Sequence, residues 1–326
     1  MSQVRRRNFL LATGALLAAP LARAQPARKA YRVGYLSVNP PQVNSHLLKA
    51  FREGMRELGY VEGRNLEIEL RHAEGKLERL DAVAVELVRS DVDVIVTAIN
   101  ATTHAAKRAT KTIPIVMTVG TDVIDEGLVA SLAKPGGNIT GLTWDVGVEV
   151  VAKRFQFLKE AAPKLSRIAV LWDPGQDARV YKSVIEEGGK AVGATLIWPK
   201  VTDDLEPAFD MAVREVAQAI FTAGGARLFR LRKQVVELAA KHRLPDTHYS
   251  SEFVGAGGLM SYAPNLPSLF RGAAKYIDRI LKGAKPGDLP VEQPTRIDLV
   301  INLKTARALG LTIPQSILLR ADRVIE

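Results

Sequence analysis

The sequence predicts an α/β protein of two lobes, each a mainly parallel sheet covered by helices, with a ligand cleft between them. Strand-like and helix-like segments alternate over roughly the first hundred residues of the folded part, the order expected of a parallel sheet with helices on both faces. The stretch Leu132-Ala-Lys-Pro-Gly-Gly-Asn-Ile-Thr-Gly-Leu-Thr-Trp144 then places Gly136, Gly137 and Gly141 around a short β-branched run that ends at an aromatic. After it the alternation starts again, so this stretch is read as the last strand of one lobe running into a crossover to the other.

Taken in order, Tyr31–Val38 is a buried-type strand stopped by Asn39-Pro-Pro41. Asn44–Leu58 carries Leu47, Leu48, Phe51, Met55 and Leu58 on one helical face and ends at Gly59. Asn65–Arg71 alternates with period two, as an edge strand does. A helix runs to Arg89, a strand spans Val92–Thr97, and a helix spans Thr102–Thr110, capped by Asn100 or Thr102. Ile113–Thr118 is a strand, Val123–Ala133 a helix, and Asn138–Leu142 the fifth strand. In the second half, helices are expected at Glu149–Ala161, Ala178–Val192, Glu206–Val216, Arg227–His242, Leu266–Lys282 and Lys304–Leu309. Strands are expected at Arg167–Trp172, Ala194–Trp198, Ala219–Thr222, Leu244–Thr247, Gly257–Tyr262 and Ile297–Ile301.

Length and composition fit this plan. A chain of 326 residues accommodates two domains of ordinary size, and 47% hydrophobic with 25% charged residues is the balance of a globular protein. There is no cysteine, which excludes disulfides, thiolate metal sites, a Cys nucleophile and a lipidated Cys. Arg5, Arg6 and Arg7 precede an apolar run that ends at Ala22-Arg-Ala24, the layout of a cleavable export signal over residues 1–24. Arg6-Arg-Asn-Phe-Leu10 matches the R-R-x-F-L core of twin-arginine signals; Arg5 stands where Ser or Thr usually leads, so the general secretory route stays open. Cleavage near Ala24 removes four arginines and no acid, taking the formal charge from +10 to +6. That excess, with aromatics at only 6%, offers no nucleic-acid surface. The densest basic run, Arg227, Arg230, Arg232 and Lys233, is interleaved with leucines and reads as the solvated face of a helix.

Catalytic signatures are missing. There is no G-x-x-x-x-G-K-[ST] loop, no G-x-S-x-G elbow, and no G-x-G-x-x-G after the first strand. The five histidines are scattered and read as surface or helix-end residues, and pairs such as Asp203-Asp204 fall in expected turns. No metal, cofactor or catalytic residue is assigned. What remains is the set of strand ends, since ligands of open parallel sheets lie beyond the carboxyl ends of the strands. Those ends carry Ser37 and Asn39, Asn100 and Thr102, Thr118, Gly120, Thr121 and Asp122, Thr143 and Trp144, Asp173, and Ala223 with Gly224. Short hydroxyls, amides and helix N-termini suit a carboxylate. Asp122 or Asp173 suits an ammonium, and Trp144 or Tyr249 an apolar or aromatic group. The same residue types are ordinary helix caps, and it is their repetition in two lobes that points to a ligand.

Five runs carry a family resemblance: Phe51–Asn65 (Phe-Arg-Glu-Gly-Met-Arg-Glu-Leu-Gly-Tyr-Val-Glu-Gly-Arg-Asn), Gly127–Leu142, and the late segments Gly257–Tyr262, Leu289–Thr295 and Leu299–Ala306. Through them the chain resembles the substrate-binding proteins of ABC transporters, in the periplasmic-binding protein type I superfamily, in the branch that includes tryptophan- and tyrosine-binding proteins. The resemblance implies two Rossmann-like lobes joined by three crossovers. They would comprise residues 31–142 with about 264–288, and 143–262 with about 292–326. It also implies a periplasmic monomer that is not an enzyme and that delivers an amino acid or an aromatic or organic carboxylate to an ABC permease. An exported α/β enzyme with a cryptic site, or a sensor subunit for a membrane receptor, is the alternative. Where the family often has Gly-Asp-Pro after the fourth strand, this chain has Gly120-Thr-Asp122.

Overall fold

The computed structural model of the protein describes residues 30–173 and 179–326. The expected export signal and residue 178, the first of the expected helix Ala178–Val192, lie outside the described residues. The first sheet is built from β1 (Tyr31–Ser37), β2 (Leu66–His72), β3 (Val94–Thr97), β4 (Ile115–Gly120) and β5 (Ile139–Thr143), with α1 (Pro41–Glu57), α2 (Leu80–Arg89) and α3 (Asn100–Ala109) between them. Its order is β2-β1-β3-β4-β5 and every pairing is parallel. The apolar runs of β1, β3 and β4 are buried because helices cover both faces, while the alternating β2 lies at the edge, as its pattern predicts.

The second sheet follows α4 (Val148–Ala161). It takes β6 (Arg167–Trp172), β7 (Thr195–Ile197), β8 (Ala219–Gly224), β9 (Asp246–His248), β10 (Met260–Pro264), β11 (Ile297–Asn302) and β12 (Arg323–Ile325). The helices around it are α5 (Arg179–Ala191), α6 (Glu206–Arg214), α7 (Ala226–Arg230), α8 (Arg232–Lys241) and α9 (Ser251–Gly255), then α11 (Leu303–Ala308) and α12 (Gln315–Leu318). The strand order is β12-β11-β10-β9-β8-β6-β7, parallel except for the antiparallel β10–β11 pair. Between those two strands the chain returns to the first sheet as α10 (Leu266–Leu281), which packs on α1, β4 and β5. Asn265 caps α10 through the Ser268 N–H at 3.0 Å, and Phe270 and Phe51 are fully buried between the helices and the sheet. Each such phenyl contributes about 1.5–3 kcal/mol of burial.

The chain therefore passes between the sheets three times, at residues 144–147, 265 and 293–296. The first and third passages are stitched together. Glu292 N–H donates to Gly141 O at 3.0 Å, and Thr143 N–H to Glu292 O at 2.9 Å. Gly141 sits at φ +127, and a Cβ there would lie 2.2 Å from Met117 O, so the close β4–β5 approach requires glycine.

Several local expectations are corrected. Val123–Ala133 is not a helix: Gly127 at φ +63 and the turn bond from its N–H to Ile124 O break it, while Val123, Leu128 and Val129 still fill the core. The expected helix Arg227–His242 is two helices, parted at Leu231. The N-cap of α3 is Ile99, and neither Asn100 nor Thr102 caps it. The short elements α9, α12 and β12 lie in segments whose apolar residues are too few to show a period.

Candidate ligand-binding cleft

The carboxyl ends of β1, β3, β4 and β5 carry the loops of one wall, and those of β6, β8 and β9 the loops of the other. Contacts already bridge them. Asn39 Nδ2 donates to Ala226 O at 3.3 Å, the His46 ring stacks on Phe229 with centroids 6.3 Å apart, and His46 Nε2 lies 3.4 Å from Glu252 Oε1. Burial works to raise the Glu252 pKa, but the bonds from His46 and Ser250 outweigh it and hold the carboxyl below its usual range.

On the first wall, Ser37 Oγ donates to Asn39 O at 3.0 Å and accepts from Asn44 Nδ2 at 3.1 Å. Asn39 Oδ1 is buried without a partner. Asn100 grips Thr121 from both sides, Nδ2 to Thr121 O at 2.6 Å and Thr121 N–H to Oδ1 at 3.0 Å, so it fixes the loop after β4. Thr102 and Thr118 are buried and donate to Ile99 O and Thr97 O, which makes them internal braces. Gly120 O accepts from Trp144 N–H at 2.6 Å, drawing the first crossover against β4. Trp144 is partly buried against the core.

Beside it, Asp122 at φ +47 donates its N–H to Asp145 Oδ1 at 2.9 Å. Burial, and secondarily the Asp122 charge, push Asp145 up to about 6. Burial and the charges of Asp125 and Glu126 raise Asp122. Thr143 is buried, and its Oγ1 has no partner. Sequence reasoning stopped at Trp144 and missed Asp145; an acid directly after a strand-end aromatic was the available signal.

The charged groups of the second wall are paired within the protein, although Thr247 Oγ1 is buried there without a partner. Asp173 accepts from Arg227 N–H at 3.1 Å and from the Arg227 guanidinium at 3.2 Å, so the carboxylate expected to await an ammonium is held by the protein. Arg227 and Arg230 also grip Asp203, at 3.0 and 2.7 Å, which corrects the reading of this basic run as merely solvated. Ala223 and Gly224 are buried at the end of β8, and Gly225 follows at φ +112, where a Cβ would come within 2.4 Å of Asp173 Cβ. Tyr249 donates its hydroxyl to Gly225 O at 2.9 Å and meets Phe253 edge-on.

Behind these residues lies a polar network that sequence reading did not find. His248 is fully buried, not a surface histidine. Its Nδ1 is 3.2 Å from Thr222 Oγ1, its Nε2 is 3.0 Å from Asp246 Oδ2, and its ring stacks on Phe253. Arg154, 2% exposed, donates to Thr222 O at 2.6 Å and lies 3.9 Å over the Phe221 ring. With every one of these groups sealed from solvent, the Thr222-His248-Asp246 array braces the wall and offers no nucleophile. Among the described residues there is no cluster of three or more His, Asp or Glu placed to hold a metal, and no helix long and apolar enough to cross a membrane.

Residues 42–325 match the sequence model for the ABC transporter substrate binding protein family. A tyrosine-binding protein of Clostridioides difficile (strain R20291) is 24% identical over 266 residues, spanning 81% of this chain and 76% of that protein. A conserved domain protein of Vibrio cholerae superposes over 91% of this chain and 100% of its own, with 28% identity and a TM-score of 0.84. An ABC domain in complex with L-Trp from Streptococcus pneumonia covers the same shares, with 26% identity and a TM-score of 0.83.

Proposed function

The chain belongs to the substrate-binding proteins of ABC transporters, and from that premise we propose that it captures an amino acid in the cleft between its two sheets and hands it to an ABC permease. One observation carries the reading: at the carboxyl ends of β1 and β5, the buried polar atoms Asn39 Oδ1 and Thr143 Oγ1 have no partner within the protein. Buried polar groups are almost always satisfied, so such atoms are apt partners for a ligand. The amino-acid class is supported by the relatives that bind tyrosine and L-Trp. Trp144 and Tyr249 supply the aromatic surface and Asn39 and Thr143 the polar contacts.

The two bodies that move are residues 31–142 with 264–288 and residues 143–262 with 292–326, rotating about the three crossovers. The protein works as a periplasmic monomer without catalysis, exported by the segment 1–24 and cleaved near Ala24. A thermal-shift screen of the twenty amino acids and of simple aromatic and organic acids tests the reading. A ligand at a hundred times its Kd stabilises the native state by about 2.7 kcal/mol, a clear rise in Tm. Absence of any shift or calorimetric signal across the screen contradicts it.

A further inference from the structure

We propose that His46 is a proton-gated clasp between the two lobes: when charged it pairs with Glu252 across the cleft and holds the closed form, so that acid strengthens ligand retention. The proposal rests on the cleft between the two sheets being the ligand site. His46 belongs to α1 of the first lobe, and Phe229 and Glu252 belong to α7 and α9 of the second. Its ring stacks on Phe229 with the planes 18° apart, and its Nε2 lies 3.4 Å from Glu252 Oε1. Ser250 Oγ donates to the other oxygen, Oε2, at 2.6 Å, which leaves Oε1 to His46. Topology gives this contact its leverage. The crossover at residues 144–147 leaves β5 at one edge of the first sheet, whereas α1 follows β1, three strands away in the order β2-β1-β3-β4-β5. At the usual strand spacing that is an arm of roughly 14 Å. Rotation about the crossovers therefore parts His46 from Phe229 and Glu252, and a bond between them favours closure.

The groups around His46 decide the sign. A histidine changes charge between about pH 5 and 8. Burial works against the Glu252 charge, but the bonds from His46 and Ser250 prevail and hold its carboxyl below the usual range, so it is ionised throughout. Arg232, at the head of α8, lies 4.8 Å over the same Phe229 ring and donates to Phe229 O at 2.8 Å, so its charge opposes the imidazolium and limits the gain. Arg227 and Arg230 on α7 are bound to Asp173 and Asp203. Burial pushes the Tyr249 hydroxyl well above its usual range, so it keeps its proton. Lys49, one turn further along α1, is exposed to solvent. A neutral His46 ring offers Glu252 one weak hydrogen bond, and an imidazolium adds a unit charge to it. The proton and the ligand then favour the same closed form, and each strengthens the binding of the other.

Titration calorimetry on the purified protein tests this with L-tyrosine, L-tryptophan and the other standard amino acids, at about pH 5.5 and about pH 8, either side of the histidine range. The quantity read is the ratio of Kd at the higher pH to Kd at the lower. Two variants separate the clasp from other titrating groups such as Asp145, which are the same in every protein compared. His46→Phe keeps a ring on Phe229 that never carries charge. Glu252→Gln keeps the shape of the partner without its charge. The native ratio is expected to exceed that of each variant by about threefold, the worth of a partly exposed ion pair. A ratio that stays at the native value in either variant overturns the proposal and leaves the cleft reading standing. Failure of every compound to bind overturns both. Either variant alone removes the charge pair, so a folding defect in one leaves the other to decide.

Discussion

At the end of β8 the polar groups bond to one another: Asp173 to Arg227, Thr222 to His248, Tyr249 to Gly225. At the end of β5 they do not: Thr143 Oγ1 has no partner, and Asp122 and Asp145 have no cation. The first arrangement draws its stability from internal pairing of its charged groups, with Thr247 Oγ1 left over. The second keeps a cost in the ligand-free protein that a suitable ligand removes. Substitutions on the two walls should therefore have opposite signs.

The largest effect belongs to the paired wall. Arg154→Met leaves the carbonyls of Thr222 and Thr247 without their buried donor and is expected to cost about 3–5 kcal/mol in urea unfolding. Next, Gly225→Ala places a methyl on Asp173 and is expected to cost about 2–3 kcal/mol by the same measurement. A neutral result for either breaks the contrast.

On the hinge side, Asp145→Asn is expected to stabilise the ligand-free protein. Burial pushes its pKa in the folded protein up to about 6, above the usual aspartate range, so the native state binds the proton more tightly than the unfolded chain. Stability from this group is complete below about pH 4 and is lost as pH rises through about 6. The variant should thus gain on the order of 2 kcal/mol at pH 7.5 and nothing at pH 4. Asp122, Asp125 and Glu126, with its His104 partner at 2.8 Å, are the other charged groups beside it, and they are the same in both proteins compared. The smallest effect is Thr143→Val. Removing a hydroxyl that has no partner should alter stability by less than about 1 kcal/mol while weakening amino-acid binding.

The same contrast explains what was legible in the sequence. Periodicity reports burial, so Tyr31–Ser37 and Arg167–Trp172 were readable to within a residue, and α10 was plain from its apolar face. Strand ends were readable too, because topology places them. Which polar groups pair with which was not. Asp173 and Arg227 are 54 residues apart in sequence, and His248 meets Thr222 across two strands, so neither pairing leaves a local pattern. Val123–Ala133 misled for a related reason: its apolar spacing serves the core equally well as turns once Gly127 takes a positive φ. Asp145 has only its place after the strand-end Trp144 to mark it in sequence; its burial and its bond to the Asp122 N–H belong to the fold.

The most direct measurement is titration calorimetry of the purified protein with the amino acid that gives the largest thermal shift. The expected result is saturable binding at a single site, weakened by Thr143→Val, because the variant loses the buried hydroxyl oxygen that has no partner within the protein. Binding by none of the amino acids, or binding at full strength after Thr143→Val, contradicts it.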